Sequence, residues 1–230
     1  MSEKRIAVMQ PYFFPYAGYF RLLAAADEFV IFDCVQFPRR GRVHRCEVPG
    51  PTGAIEWLTL PLAKVSRDAK IRDLTFATDA RAELTRRLEH LPWYRAAEGE
   101  AADRIRAHLA APLPMSVVDF LEGALRLTAA LLNLKTDISR SSALSLAPAL
   151  KNQARVIEIA KARGATQYVN APGGRALYDE QAFSAAGLGL TFLPPYEGPY
   201  RHLLPALMTH PPMEIAADVA CAVTVRACTR

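Results

Sequence analysis

RIAVMQPYFFPYAGYFRLLAAADEFVIFD, residues 5–33, decides the fold class. Arg5 to Met9 is a short apolar run that reads as a buried strand and stops at Gln10-Pro11. A loop rich in proline and aromatic residues follows, Pro11 to Gly18, and then Tyr19 to Ala26 reads as a helix ended by Asp27. Phe29 to Asp33 is a second buried strand. Strand, loop, helix and strand within so short a stretch form a βαβ unit, and such units build parallel sheets with right-handed crossovers.

Working outward, the second strand runs into a polar, basic loop, Gln36 to Arg45. Glu56–Leu62 is expected as a strand broken at Pro61, and Ile71–Phe76 as one more. Helices are expected over Ala80–Leu91, ended by Pro92, then over Ala101–Ala111 and over Met115–Leu132, whose long 3.6-residue apolar period is the clearest in the chain. Thr136–Ser139 is a short strand, Gln153–Arg163 a helix with Gly164 at its C-cap, and Gln167–Val169 a strand before a Pro-Gly-Gly turn. Ala182–Ala186 is a short helix capped by Gly187, Leu190–Leu193 a last strand, and Glu214–Val223 a helix in the tail. The expected fold class is therefore α/β, with a parallel-sheet Rossmann-like, nucleotidyltransferase-like core and a helical C-terminal portion. Residues 1–230 read as a single domain, with the loop Ala110–Pro114 marking where a helical subdomain would start, from about 112.

Composition narrows the class. Of the 230 residues, 51% are hydrophobic and 22% charged, enough for a real core without disulfide or metal staples. The net charge is +5, and the one basic cluster is Arg39, Arg40, Arg42 and Arg45. A nucleic-acid binder usually has a broader basic footprint, so a small anionic ligand is the better match. Cys34, Cys46, Cys221 and Cys228 form no C-x-x-C pair and follow no secretory signal, so they read as reduced thiols in a cytoplasmic protein. No apolar run approaches the roughly 18 residues of a membrane helix, so no membrane association is expected. His202 and His210 make only a weak metal pair; no metal and no cofactor are expected.

The candidate site lies beyond the carboxyl ends of the first two strands, where open parallel sheets bind ligands. In the first loop Gln10, Tyr12, Tyr16 and Tyr19 offer directional hydrogen bonds and ring faces. Gly18 would let a ligand approach the helix N-terminus, whose free N–H groups favour an anion. The layout is similar to the H-x-G-H loop of adenylate-forming nucleotidyltransferases, with Tyr16 and Tyr19 where the histidines would stand. That likeness bears on the fold, since tyrosine stays neutral near pH 7. In the second loop Asp33 is a candidate base or amine-binding carboxylate, His44 a candidate acid or base, Arg39, Arg40 and Arg45 candidate clamps for phosphate or carboxylate, and Gln36 a candidate substrate-binding residue. Cys34 is a candidate thiolate nucleophile in a basic setting, or a small buried side chain. Ser139–Ser142 reads as an anion site that includes Ser141, or as a helix cap. Tyr168–Gly174, with Asn170, reads as a ligand loop or a plain turn.

Together these segments resemble the WbqC-like family of bacterial polysaccharide and specialised-metabolite gene clusters. The resemblance rests on MQPYFFPYAGYF at 9–20, DEFVIFDCVQFPRRGRVHR at 27–45, EWLTLPL at 56–62, KARGATQYVNAPGGRALYD at 161–179 and, more loosely, SRSSAL at 139–144. The family usually carries Asp where this chain has Cys34 and Asn where it has His44. Its C-terminal aromatic-Gln and Ser-Ile-Leu-Asp-like run is matched here only by Tyr200 and Asp218. The resemblance implies a transferase that adds an acyl or aminoacyl group to an amine, such as an amino sugar; if the donor is a carrier-protein thioester, the basic surface would steer an acidic acyl carrier protein as a partner. The alternatives are an ATP-dependent ligase or nucleotidyltransferase, and a non-catalytic module that binds a sugar nucleotide.

Overall fold

A computed structural model describes residues 3–224, with side-chain surroundings given up to residue 220. Cys228, and the side chain of Cys221, lie outside the described residues. Five strands make one parallel sheet: β1 (Arg5–Met9), β2 (Glu28–Ile31), β5 (Asp137–Arg140), β6 (Gln167–Asn170) and β7 (Gly189–Phe192), in the spatial order β5-β2-β1-β6-β7. This is a Rossmann-like α/β sheet. Helix α1 (Ala17–Ala25) connects β1 to β2, as the βαβ reading requires.

The strands read as near-continuous apolar runs because both faces are covered. Ile6, Val8 and Val30 share one buried layer with Val156, Ile159 and Ala160 of α6 (Asn152–Ala162) and Phe183 of α7 (Glu180–Ala185). The alternate residues Ala7, Phe29 and Ile31 face the larger layer, built with Phe20 and Leu23 of α1, Leu121 and Leu125 of α5 (Val117–Leu131), and Ile215 and Val219 of α9 (Pro212–Thr224). Gly164 and Gly187 end α6 and α7 with positive φ (67° and 75°), a left-handed backbone that glycine adopts without penalty.

From β1 the chain builds outward to β2 and β5, then returns to build β6 and β7 on the other side. The reversal falls between β1 and β6. Those two strands pair only at Arg5–Gln167 and Ile6–Tyr168, so they part toward their carboxyl ends. A crevice at such a switch point is where ligands of open α/β sheets sit.

One expectation is corrected and two are extended. The strand expected over Glu56–Leu62 is β4 (Ile55–Thr59), which ends before Pro61; it lies outside the parallel sheet and pairs antiparallel with β3 (Arg45–Pro49). The basic loop therefore ends where β3 begins, and the alternating burial of Arg45 to Pro49 explains why. Ile71–Phe76 is no strand; Ile71–Asp73 is a 3₁₀ turn that buries Ile71 and Leu74, a spacing of three. Pro92 does end α2 (Ala80–Glu89), but it also starts α3 (Pro92–Ala96), because a first helical position needs no N–H. Helix α4 spans Glu100–Ala110. The sequence showed no helix at α8 (Leu203–Thr209), whose Pro205 sits in the first turn, where its missing N–H costs nothing. Beyond residue 112 the chain supplies β5, β6 and β7 as well as helices. Among the described residues no helix is long and apolar enough to cross a membrane.

Candidate functional site at the strand ends

The first two strand-exit loops do converge. The Phe13 N–H donates to the Arg42 carbonyl at 3.1 Å, tying the loop after β1 to the loop after β2. Phe14 carries a left-handed backbone (φ 39°), unusual for a bulky residue, and it is held there by burial of Phe13 and Phe14 with their rings edge-on at 5.3 Å. Tyr12 and Tyr16 are half-buried on this face. Burial raises the Tyr12 hydroxyl above its usual pKa, Tyr16 adds to the rise, and the Arg42 charge opposes it.

Two expectations for this loop give way. Tyr19 is 2% exposed and its hydroxyl donates to the Gln10 carbonyl at 2.8 Å; it holds the loop rather than facing a ligand. Gly18 does leave room, but that room is filled: a Cβ there would meet the Tyr196 Cβ at 2.6 Å and the Tyr16 ring. The first N–H of α1, on Ala17, donates to the Tyr200 carbonyl. The helix end expected to receive an anion is thus closed by the chain itself. Tyr196 stands 6.0 Å from Tyr16 between ring centroids and donates to Asp218 at 2.6 Å. The sequence pointed to Tyr200 and Asp218; Tyr196, which joins them, carried no motif.

The second loop builds a buried polar cluster. Asp33 is 1% exposed. Its Oδ1 accepts from the Ser141 hydroxyl at 2.8 Å and the Ser142 N–H at 2.9 Å, and its Oδ2 accepts from the Ser142 hydroxyl. The Cys34 sulfur lies 3.1 Å from the Ser141 oxygen and 3.0 Å from Arg155 Nε, which donates to it. The serine hydroxyl has one proton and Asp33 is its stronger acceptor, so Ser141 is free to accept the Cys34 S–H. The three groups form a chain, Cys34 to Ser141 to Asp33, and Arg155 completes it. Carbonyls of Ala147 and Leu150 fix the other guanidinium edge. Arg155 was missed in sequence because an arginine in a helix carries no motif. Its place in the first turn of α6 was the available signal, since the helix dipole disfavours a cation there.

His44 is half-buried, edge-on to Phe37 at 5.1 Å, with Nδ1 buried and unpartnered by protein. Burial pushes its pKa down to about 4, with Arg45 adding to the effect, so the ring is neutral at neutral pH. The arginines divide otherwise than expected. Arg45 spends its N–H groups on the carbonyls of Arg40 and Gly41 and lies over the Trp57 ring at 4.2 Å. Gln36 is exposed and donates to the Arg67 carbonyl. Arg40 is exposed. It is Arg42, paired with Glu47 at 2.8 Å, that lies against the tyrosine loop. Asn170, at the end of β6, is 4% exposed and accepts from the Ala171 N–H; the Gly174 backbone packs against its amide. Its role is to shape the turn.

His202 and His210 stand at opposite ends of α8. Among the described residues no group of three or more His, Cys, Asp or Glu is placed to hold a metal ion. Burial raises the Cys46 thiol pKa far above its usual value, as for an inert core residue. A depression of about 720 Å³, lined by Trp93, Arg104, Leu131, Met208 and His210 among others, lies near α3, α4 and α8 and includes none of the expected site residues.

The chain matches the family model described as the WbqC-like protein family over residues 10–206. It is 27% identical over 197 residues to the uncharacterized protein Rv1507c of Mycobacterium tuberculosis, covering 85% of this chain and 84% of that one. No solved structure matches.

Proposed function

The chain belongs to the WbqC-like protein family, and we propose that it is a transferase that forms an amide by passing an acyl or aminoacyl group to an amine, with Cys34 as the carrier of that group. One observation carries the proposal. The Cys34 sulfur has a serine oxygen at 3.1 Å, itself held by a buried carboxylate, and a guanidinium N–H at 3.0 Å. A thiol with a relay for its proton and a cationic donor for its thiolate is arranged as a nucleophile.

In the first half-reaction the Cys34 thiolate attacks the carbonyl carbon of a thioester donor. The donor's C–S bond breaks and its thiol leaves with the proton that Cys34 gave up. In the second, the amine attacks the Cys34 thioester, the new C–N bond forms and the C–S bond breaks. Sulfur recovers a proton, and the one the ammonium loses goes to solvent, because burial leaves the His44 imidazole, with a pKa of about 4, too weak a base to hold it. Tyr12, Tyr16 and Gln10, half-buried along the converged loops, would orient the acceptor. Asp33 acts through Ser141 and is a positioning residue.

The test is intact-protein mass spectrometry with an acyl-pantetheine donor and no acceptor. The expected result is one acyl increment on Cys34, absent in Cys34→Ser and discharged by an amine. Amide formation by a Cys34→Ser protein at the native rate would overturn the covalent route.

A further inference from the structure

We infer that the cationic surface formed by residues 36–40 and 64–72 docks an acidic carrier protein, which presents the acyl donor as a thioester. This rests on the acyl-transfer reading above and names its partner.

The charge of the chain is concentrated here. Residues 36–73 hold eight Lys or Arg against four Asp or Glu, most of the net +5 of the whole chain. Two separate segments make one surface because backbone and side chains join them. The Phe37 N–H donates to the Ala69 carbonyl at 2.9 Å, Gln36 Nε2 to the Arg67 carbonyl at 2.9 Å, and Arg39 Nη2 to the Val65 carbonyl at 2.8 Å. Those bonds use carbonyl acceptors and do not neutralise Arg39, while Arg72 is paired with Asp73 at 3.6 Å. Arg39, Arg40, Lys64, Arg67, Lys70 and Arg72 are all exposed.

The surface adjoins the reactive cluster directly. The Arg72 N–H donates to the Asp33 carbonyl and the Ile71 N–H to the Val35 carbonyl, both at 2.9 Å, so the cationic segment is bonded on either side of Cys34. A partner bound there would hold a flexible thiol-ended arm beside the loop that carries Cys34.

An acidic protein fits better than a nucleic acid. Asp68 and Asp73 interrupt the patch and would repel a continuous phosphodiester track. Single strands also need exposed rings on which to stack. Phe37, the one aromatic residue in these two segments, is 8% exposed.

Two measurements separate the docking from the chemistry. In the first, a fluorescent acidic holo-acyl carrier protein is titrated with the full-length protein and followed by anisotropy. Binding is expected to weaken roughly tenfold between about 25 and about 300 mM NaCl. It is expected to be lost in Lys64→Glu/Arg67→Glu/Lys70→Glu, whose folding is checked by its thermal midpoint. In the second, the triple variant should lose roughly tenfold in kcat/KM with a carrier-bound donor and less than about twofold with acyl-pantetheine. Salt-sensitive carrier binding without turnover of either donor would sink the acyl-transfer reading and leave the docking intact. Equal use of both donors by the variant, or carrier binding indifferent to salt and to the three reversals, would overturn the docking. Salt-dependent binding of a labelled single-stranded RNA with no carrier binding would overturn it as well.

Discussion

Glu28 and Asp33 sit at the two ends of β2, five residues apart, and both are buried, at 3% and 1% exposure. They are partnered in opposite ways. Glu28 is closed by charge: Lys4 Nζ at 2.9 Å, Arg163 Nε at 2.6 Å and the Ser139 hydroxyl at 2.6 Å. Asp33 is held by hydroxyls and a backbone N–H, while the nearby guanidinium of Arg155 is turned to sulfur instead. One end of the strand neutralises its carboxylate and seals the sheet. The other keeps its cation for a thiol. A buried carboxylate therefore says little by itself; the charge and identity of its donors separate a staple from a site.

Cys34 is where the two ends of β2 are told apart most directly. Cys34→Ser is expected to lower amide formation about 10³-fold or more, with unfolding free energy within about 1 kcal/mol of native, measured by single-turnover kinetics and urea titration. A retained rate would reduce the polar end of β2 to packing. Next come the carboxylates themselves. Glu28→Gln leaves two partly exposed cations facing a neutral amide and is expected to cost about 2–3 kcal/mol in urea unfolding, with kcat per folded molecule unchanged. Asp33→Asn is expected to do the reverse, costing about 1–2 kcal/mol of stability but about 10²-fold in rate. If the two variants exchange these profiles, the assignment of staple and site is inverted.

Acid separates the two ends more finely. Burial alone would raise the Glu28 pKa, but the Ser139 hydroxyl, Lys4 and Arg163 outweigh it and hold the group below its ordinary value. Its contribution is thus full above the unfolded value of roughly 4.3 and is lost as pH falls through the lower folded value. His44 acts at higher pH. Its folded pKa, about 4, lies below the unfolded value, so the unfolded chain takes up the proton first. The stability it lends is full above roughly pH 6.5 and declines as pH falls from there toward about 4. Urea midpoints across pH 7 to 3 should show both slopes, with His44→Gln flattening the upper one and Glu28→Gln the lower. The smallest effect is Tyr19→Phe, which removes one hydrogen bond to the Gln10 carbonyl and should cost about 1 kcal/mol with near-native turnover.

The fold was largely legible in the chain. Residues 5–33 announce a βαβ unit because burial on both faces makes a parallel strand a short, near-continuous apolar run, and those runs lie within a residue or two of β1 and β2. The 3₁₀ turn at Ile71 resembles a strand in sequence because six residues with three apolar positions, Ile71, Leu74 and Phe76, are too few to tell a spacing of two from a spacing of three. Of the site, Asp33, Cys34 and Ser141 were singled out separately, and they meet. Tyr19, Gly18, Arg45 and Asn170 were singled out too, and they brace their loops. A sequence marks a residue as chemically able; it does not say whether its own neighbours have already used its hydrogen bonds.

By itself, the sequence determined a parallel α/β sheet and the two loops, after β1 and β2, that crown it. Hydrophobic period and loop chemistry are local and act over a few residues. Only the tertiary structure decided that β5 lies beside β2, which brings Ser141 and Arg155 to a sulfur more than a hundred residues away in the chain. Periodicity encodes which face of a strand is buried. It does not encode which strand becomes its neighbour, because that order is set by how the crossover helices pack on the finished sheet.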